Sequence, residues 1–415
     1  MEDFRKILEV YKKKKYLFFN EPHLIQINNY EESLEKMVKK FSQIKDVSSI
    51  YSYTGAGVLG ISDLDLFVLL KNDFENSKRE DFSLEGLSRE TEYLADITLQ
   101  REDLFSKLYY RYHYRWAAKE NTIHCLWGKE IKPEEISSEE SSLSKIYYMA
   151  GVLLAKMPRD LVRSLTAGRI SVRGLLKVIH TLRFTIEVES QITGIPSRPK
   201  WSDFVSKFAD FRKNWFTLGE EKHQMLVDYL VEATAISFEI VEEFSNFVGP
   251  KGIIPPYENP TEKKLCGVFS GYKFYTIFYD QKLLPASEAL KLNLELCENR
   301  KMRVLLLPSV FLTFMWQLGK AGARSRSEYI RNNLVVLGKE PAGDILPDVR
   351  KREELLNEYI EFLLKGDMIA INPGDAQGVF GFYGGQTLRE RAFKKAREVL
   401  SLVCRKRMIN YINKI

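Results

Sequence analysis

The sequence predicts an α+β protein in which a small mixed sheet comes first, an α-helical segment follows, and a mixed α/β region makes up the C-terminal part. Three observations carry this. Short apolar runs rich in β-branched and aromatic residues, broken by glycine, cluster between residues 47 and 127. Glycine and proline then thin out, and apolar residues recur at helical spacing from 143 to 247. A proline-dense break with Pro250, Pro255, Pro256 and Pro260 sets off the last third, because proline supplies no N–H to a regular element. The expected domains are therefore 1–136, 137–250 and 251–415, and 415 residues with 45% hydrophobic content can bury more than one core.

In chain order, Phe4, Ile7, Leu8 and Tyr11 stand at helical spacing ahead of the basic cluster 12–15. A helix over 30–41 would put Leu34, Met37, Val38 and Phe41 on one face. Strands are expected at 47–53, 64–70, 93–99 and 122–127, with a glycine turn over 54–60 and a helix over 103–119. The polar stretch 137–144 reads as a linker. Helices follow at 143–156, 172–193, 201–211 and 220–247. In the last third, a hairpin is expected from 265–269 and 272–278, a buried apolar helix over 304–318, and a helix over 349–365. A glycine-rich loop at 374–385 and a basic helix at 388–407 complete the pattern, with no repeat in the sequence.

The formal net charge is +6, from 62 basic and 56 acidic residues, which suits phosphate-bearing ligands without demanding nucleic acid. Cys125, Cys266, Cys297 and Cys404 are scattered, with no CxxC pairing, and read as free thiols in a reducing cytoplasm. The charge-dense first fifteen residues do not resemble a secretory signal, and the most apolar stretch, 304–318, is shorter than the ~20 residues of a spanning helix. A cytoplasmic protein with no membrane partner is the expectation.

The residues that carry chemistry are Asp63, Asp65 and Asp96. Asp63 and Asp65 lie two apart at the start of a strand, so their side chains emerge on one face with α-carbons roughly 6.6 Å apart. Hard oxygen ligands of this kind select Mg2+ or Mn2+. Two such ions about 3.5 to 4 Å apart can activate a hydroxyl and neutralise a leaving pyrophosphate. Gly55, Gly57 and Gly60 let backbone N–H groups approach an anion closely. Asp96 is a lone acid on an apolar strand; beside the strand of Asp65 it would complete the cation site or take a proton from an acceptor.

These residues resemble the DNA polymerase β-like nucleotidyltransferase superfamily. The match runs through Tyr53-Thr54-Gly55-Ala56, then Ile61-Ser62-Asp63-Leu64-Asp65-Leu66, then Asp96, and Trp127-Gly128-Lys129 is similar to a strand ending found in its small-molecule and archaeal members. It covers roughly residues 30–135. The resemblance implies a nucleotidyltransferase palm and two bound ions, Mg2+ or Mn2+, held by Asp63, Asp65 and Asp96, which are also the catalytic residues. It also implies nucleotide contacts from Gly55, Ala56 and Ser62. The reaction implied moves a nucleoside monophosphate from a triphosphate, ATP as the expected donor, to an acceptor hydroxyl or amine with release of pyrophosphate. A small molecule is the favoured acceptor, with a nucleic-acid end or a protein side chain left open.

Two departures shape this expectation. Ala56 stands where the family has a serine that binds the triphosphate, and no Lys or Arg lies between Lys45 and Lys71. Triphosphate contacts would then come from the helical segment, with Arg173, Lys177 and Arg183 as candidates. Two other readings stay open: a nucleotide-sensing protein of the same fold without turnover, and an RNA-binding or RNA-extending protein using the basic helix 388–407. The aromatic run around His113 reads as packing against the sheet, and His124 and Cys125, on opposite sides of a strand, as core residues.

Overall fold

In the computed structural model, the described residues are 4–52, 57–71, 86–102, 123–132, 154–248, 265–270, 275–299, 304–313 and 334–336, with Phe82, Leu84, Phe105, Lys145 and Met149 standing singly between them. The architecture is mixed α/β with small sheets. Helix α1 (Phe4–Leu8) runs into a 3-10 turn (Glu9–Lys13), followed by strand β1 (Leu17–Phe19), helix α2 (Ile27–Phe41), and strands β2 (Val47–Ser52) and β3 (Leu64–Leu70). Helix α3 (Arg89–Leu94) leads into β4 (Ala95–Arg101), and β5 is His124–Gly128. Then come α4 (Leu154–Thr166), β6 (Arg169–Ser171), α5 (Val172–Thr193), α6 (Pro199–Lys213) and α7 (Lys222–Val248). The C-terminal elements are β7 (Leu265–Ser270), β8 (Tyr275–Tyr279), α8 (Ala286–Asn299), β9 (Val304–Pro308) and β10 (Leu334–Val336).

The first sheet has the order β4-β3-β2-β5. Its central pair β2 and β3 is antiparallel, β3 and β4 are parallel, and β5 pairs antiparallel with β2. Alternation along β3 divides its side chains between two cores. Leu64, Leu66, Val68 and Leu70 pack with α2 residues Tyr30, Met37 and Phe41 and with Ile97 and Leu99 of β4. Phe67 and Leu69 face the other way, into the large core formed with Leu161, Leu175, Leu176, Trp201, Leu230 and Ile236 of the helical segment. Asp65 stands on this second face, so the helices behind the sheet look directly at it.

The helical segment follows the expected pattern closely. Helix α5 spans the anticipated residues and ends at Gly194 in the left-handed conformation (φ 70°), whose N–H closes onto the Ser190 carbonyl. Helix α4 differs from expectation: it runs to Thr166 through Pro158, because burial of Leu154, Met157, Leu161, Val162 and Leu165 outweighs the ring's lost hydrogen bond. Arg5 of α1 pairs with Glu232 (2.6 Å) and Glu239 (2.5 Å) of α7, and Glu239 also accepts from Trp201 Nε1 (2.8 Å), so the N-terminus is fastened to two helices.

Further differences from the sequence reading concern three places. Tyr93 belongs to α3, with the strand starting two residues later at Ala95. Residues 304–308, expected as part of a buried helix, form β9, because a run of five buried apolar residues fits a strand bonded to β8 as well as a helix turn. His124 is exposed on the edge strand β5, while Cys125 is half-buried against the core. Cys125 and Cys297 are free thiols. The expected domain boundaries at 136/137 and 250/251 lie outside the described residues, as do the helices over 103–119, 349–365 and 388–407 and the glycine loop 374–385. No helix among the described residues is long and apolar enough to cross a membrane.

Candidate metal and nucleotide site

The site begins with the turn that precedes β3. Ile61 and Ser62 donate their N–H groups to the Val58 carbonyl (3.0 and 2.8 Å), and the Val58 N–H returns a bond to Ser62 Oγ (2.9 Å). Gly60, at φ +81°, turns the chain where a Cβ would meet the His23 carbonyl oxygen at 2.1 Å. Two tyrosines hold this turn from below. Tyr30 Oη donates to the Ser62 carbonyl (3.0 Å) and accepts from the Gly60 N–H (2.8 Å), and Tyr93 Oη donates to the Gly60 carbonyl (3.0 Å). Burial raises both phenol pKa values, so both hydroxyls keep the proton they donate.

Asp63 follows this turn, and Asp65 follows on β3. In the parallel β3–β4 ladder Asp65 is paired with Asp96, so the third acid arrives beside the second through register alone. Carboxylate oxygens of Asp63, Asp65 and Asp96 all lie within 4.8 Å of one another. Asp63 is buried, and Asp65 and Asp96 are half-buried. Three hard oxygen donors at this spacing are chemically suited to a divalent cation such as Mg2+ or Mn2+.

The helical segment supplies cations to the same point. Arg173, in the first turn of α5, places Nη2 2.6 Å from Asp63 Oδ1, Nη1 2.9 Å from the Tyr93 carbonyl and its guanidinium carbon 3.7 Å from the Tyr93 ring centre. Lys177, one turn on, pairs with Asp63 Oδ2. The two cations differ in mobility: Arg173 is buried on all sides, whereas the Lys177 side chain is 32% exposed on a flexible stem. Arg173 therefore fixes the orientation of Asp63, and Lys177 is the partner that can exchange for an incoming ion.

Beyond Lys177, α5 carries His180 and Arg183, close enough to Arg212 in the last turn of α6 for the charges to act on one another. Arg212 Nη2 donates to Ser62 Oγ (2.8 Å), which joins α6 to the turn before the acids. Burial, together with the charges of Arg212 and Arg183, lowers the His180 pKa to about 3, so its imidazole is neutral at physiological pH.

The structure thus brings Asp63, Asp65, Asp96 and Ser62 together with Arg173 and Lys177, two of the three helical cations suggested by sequence, while Arg183 stands with Arg212 and His180. Gly55 and Ala56 lie outside the described residues. Sequence reasoning missed Tyr30, Tyr93, His180 and Arg212. An arginine in the last turn of a helix is indistinguishable by pattern from one that merely complements the helix dipole. No protein-family profile matches the chain, and no curated protein matches its sequence.

Proposed function

We propose that the chain is a metal-dependent nucleotidyltransferase whose first sheet is a palm of the DNA polymerase β-like type. What carries this reading is the convergence of Asp63, Asp65 and Asp96, with oxygens within 4.8 Å, on neighbouring parallel strands that face a cationic helix. Asp63, Asp65 and Asp96 hold Mg2+ or Mn2+, two ions in the full site. When bound, the metal supplies charge neutralisation at the phosphates and lowers the pKa of an attacking hydroxyl. Arg173 orients Asp63, and a carboxylate oxygen of Asp96 receives the proton of the acceptor hydroxyl or amine. Lys177, leaving Asp63 Oδ2, carries its ammonium to the triphosphate. ATP is the expected donor and a small molecule the expected acceptor.

The test is pyrophosphate release with each of the four nucleoside triphosphates in the presence of small-molecule extract, comparing the native chain with an Asp63→Asn, Asp65→Asn double variant. The native protein is expected to release pyrophosphate and the double variant to stay at background; equal signals from the two would remove the catalytic assignment. One observation favours a second reading, nucleotide binding without turnover: both oxygens of Asp63 are engaged by Arg173 and Lys177. Saturable triphosphate binding with no pyrophosphate at any Mg2+ or Mn2+ concentration would establish that alternative.

A further inference from the structure

Among the described residues, Arg212 is a buried cation with an unpartnered N–H. It is 6% exposed, its Nε has no hydrogen-bond partner, and its one described hydrogen bond goes to a neutral hydroxyl, Ser62 Oγ, at 2.8 Å. Burying a guanidinium without an anion in contact costs several kcal/mol in general, and folded proteins accept that cost where a ligand supplies the missing charge. The surroundings compensate it only in part. Arg183 adds like charge to it, His180, neutral, adds no negative charge, and Asp63, the carboxylate that favours its charge, is held by Arg173 and Lys177. Burial first and Arg183 second lower the Arg212 pKa to about 10, still high enough for a full positive charge at physiological pH. Arg183 is exposed, and its described contact is with the face of Phe184 (4.4 Å).

We infer that Arg212 and Arg183 form a polyphosphate subsite, reached along the α5 face that begins at Lys177, in which the buried Nε–H and Nη–H edge of Arg212 and the guanidinium of Arg183 bind the terminal phosphates of a nucleoside triphosphate. The inference rests on the nucleotidyltransferase reading for the identity of the ligand, and on the buried, unpartnered arginine for the existence of the site. It gives a physical answer to Ala56 and to the lack of basic residues between Lys45 and Lys71. The phosphate contacts absent from the sheet side are collected by α5 and α6, and Ser62 couples them to the acids by holding Arg212 one residue away from Asp63. Planar guanidiniums suit this task because each offers two parallel N–H donors to phosphate oxygens. Guanidiniums from two helices beside the acids suit a chain of phosphates better than a single one, so the subsite selects triphosphates over monophosphates.

The test uses inorganic tripolyphosphate and ATP as probes, with EDTA present so that metal chemistry plays no part, followed by calorimetric titration and by thermal melting of the full chain. The native protein is expected to bind both at least tenfold tighter than AMP or sulfate and to melt higher in their presence. Arg212→Met should lose that binding by a factor of ten or more while its ligand-free melting temperature stays equal or rises, because an uncompensated buried charge has gone. Arg183→Met, at an exposed position that folding does not need, should weaken binding several-fold. If Arg212→Met melts lower yet keeps its tripolyphosphate affinity, Arg212 is only a clasp for Ser62 and the subsite is refuted; equal affinity of the native chain for sulfate and tripolyphosphate refutes it as well. Pyrophosphate release by the native chain separates this from the parent reading. Retained tripolyphosphate binding in a native chain that releases no pyrophosphate supports the subsite and counts against the transferase alone.

Discussion

The two four-stranded sheets repeat one topology and differ in chemistry. Read in chain order, β2, β3, β4 and β5 take the spatial order β4-β3-β2-β5, and β7, β8, β9 and β10 take the corresponding order β9-β8-β7-β10. In each, the first two strands are antiparallel, the second and third are parallel and separated by a helix, and the fourth pairs antiparallel with the first. The second rung of the parallel ladder holds Asp65 with Asp96 in the first sheet and Thr276 with Leu305 in the second. Leu305 is fully buried in the large core, and Thr276 is 7% exposed. One sheet spends this position on like charges and the other on packing, so the same backbone serves chemistry in one place and cohesion in the other.

The comparison makes its strongest demand on activity. The Asp63→Asn, Asp65→Asn variant should lose Mn2+ binding, read by electron paramagnetic resonance, together with all pyrophosphate release; residual tight binding would mean that these two acids do not hold the cation. Next in size is Leu305→Asp, which places a carboxylate in a dry core and should cost more than about 4 kcal/mol in chemical denaturation. Asp96→Asn, at the matching rung of the first sheet, should melt at the same temperature as the native chain or higher. A large loss in Asp96→Asn would erase the contrast.

Gly60→Ala tests whether the turn before β3 is strained for side chains. With φ at +81° and the His23 carbonyl oxygen 2.1 Å from the added Cβ, a loss of roughly 2 kcal/mol or more is expected in thermal or urea melts. The smallest effect is on pH dependence. Burial and the charges of Arg212 and Arg183 hold His180 at about 3 in the folded chain, against 6.5 when unfolded, so the unfolded chain binds one more proton between those values. Stability should therefore fall as pH drops below about 6.5, and His180→Gln should flatten that part of the slope, as followed by melting temperature.

How much of this was legible in the sequence follows from how local each signal is. Asp63, Asp65 and Asp96 were readable because each sits in a short apolar run that only a strand explains, and α5 because 3.6-residue periodicity and Gly194 mark its body and its end. The segment at 304–308 misled because five consecutive apolar residues have no period, and its assignment is made by the partner strand β8. The shared order of the two sheets is invisible to local pattern, since strand order is a property of pairing between distant segments. Arg212 was hidden for a similar reason. Its significance comes from what surrounds it on α5 and from what its Nε lacks, neither of which is encoded near residue 212.

Arg173 has one more consequence, for motion. A single guanidinium reaches the Ile61 carbonyl, the Tyr93 carbonyl and Asp63, and it covers the Tyr93 ring, so it ties the first turn of α5 to the turn before β3 and to the end of α3. Separating helix from sheet at that end would break all four contacts at once. In the following turns of α5, Lys177 is partly exposed and Arg183 exposed. Any opening of the cleft would then carry the start of α5 and the turn that bears Asp63 as one piece, with the geometry at Asp63 kept.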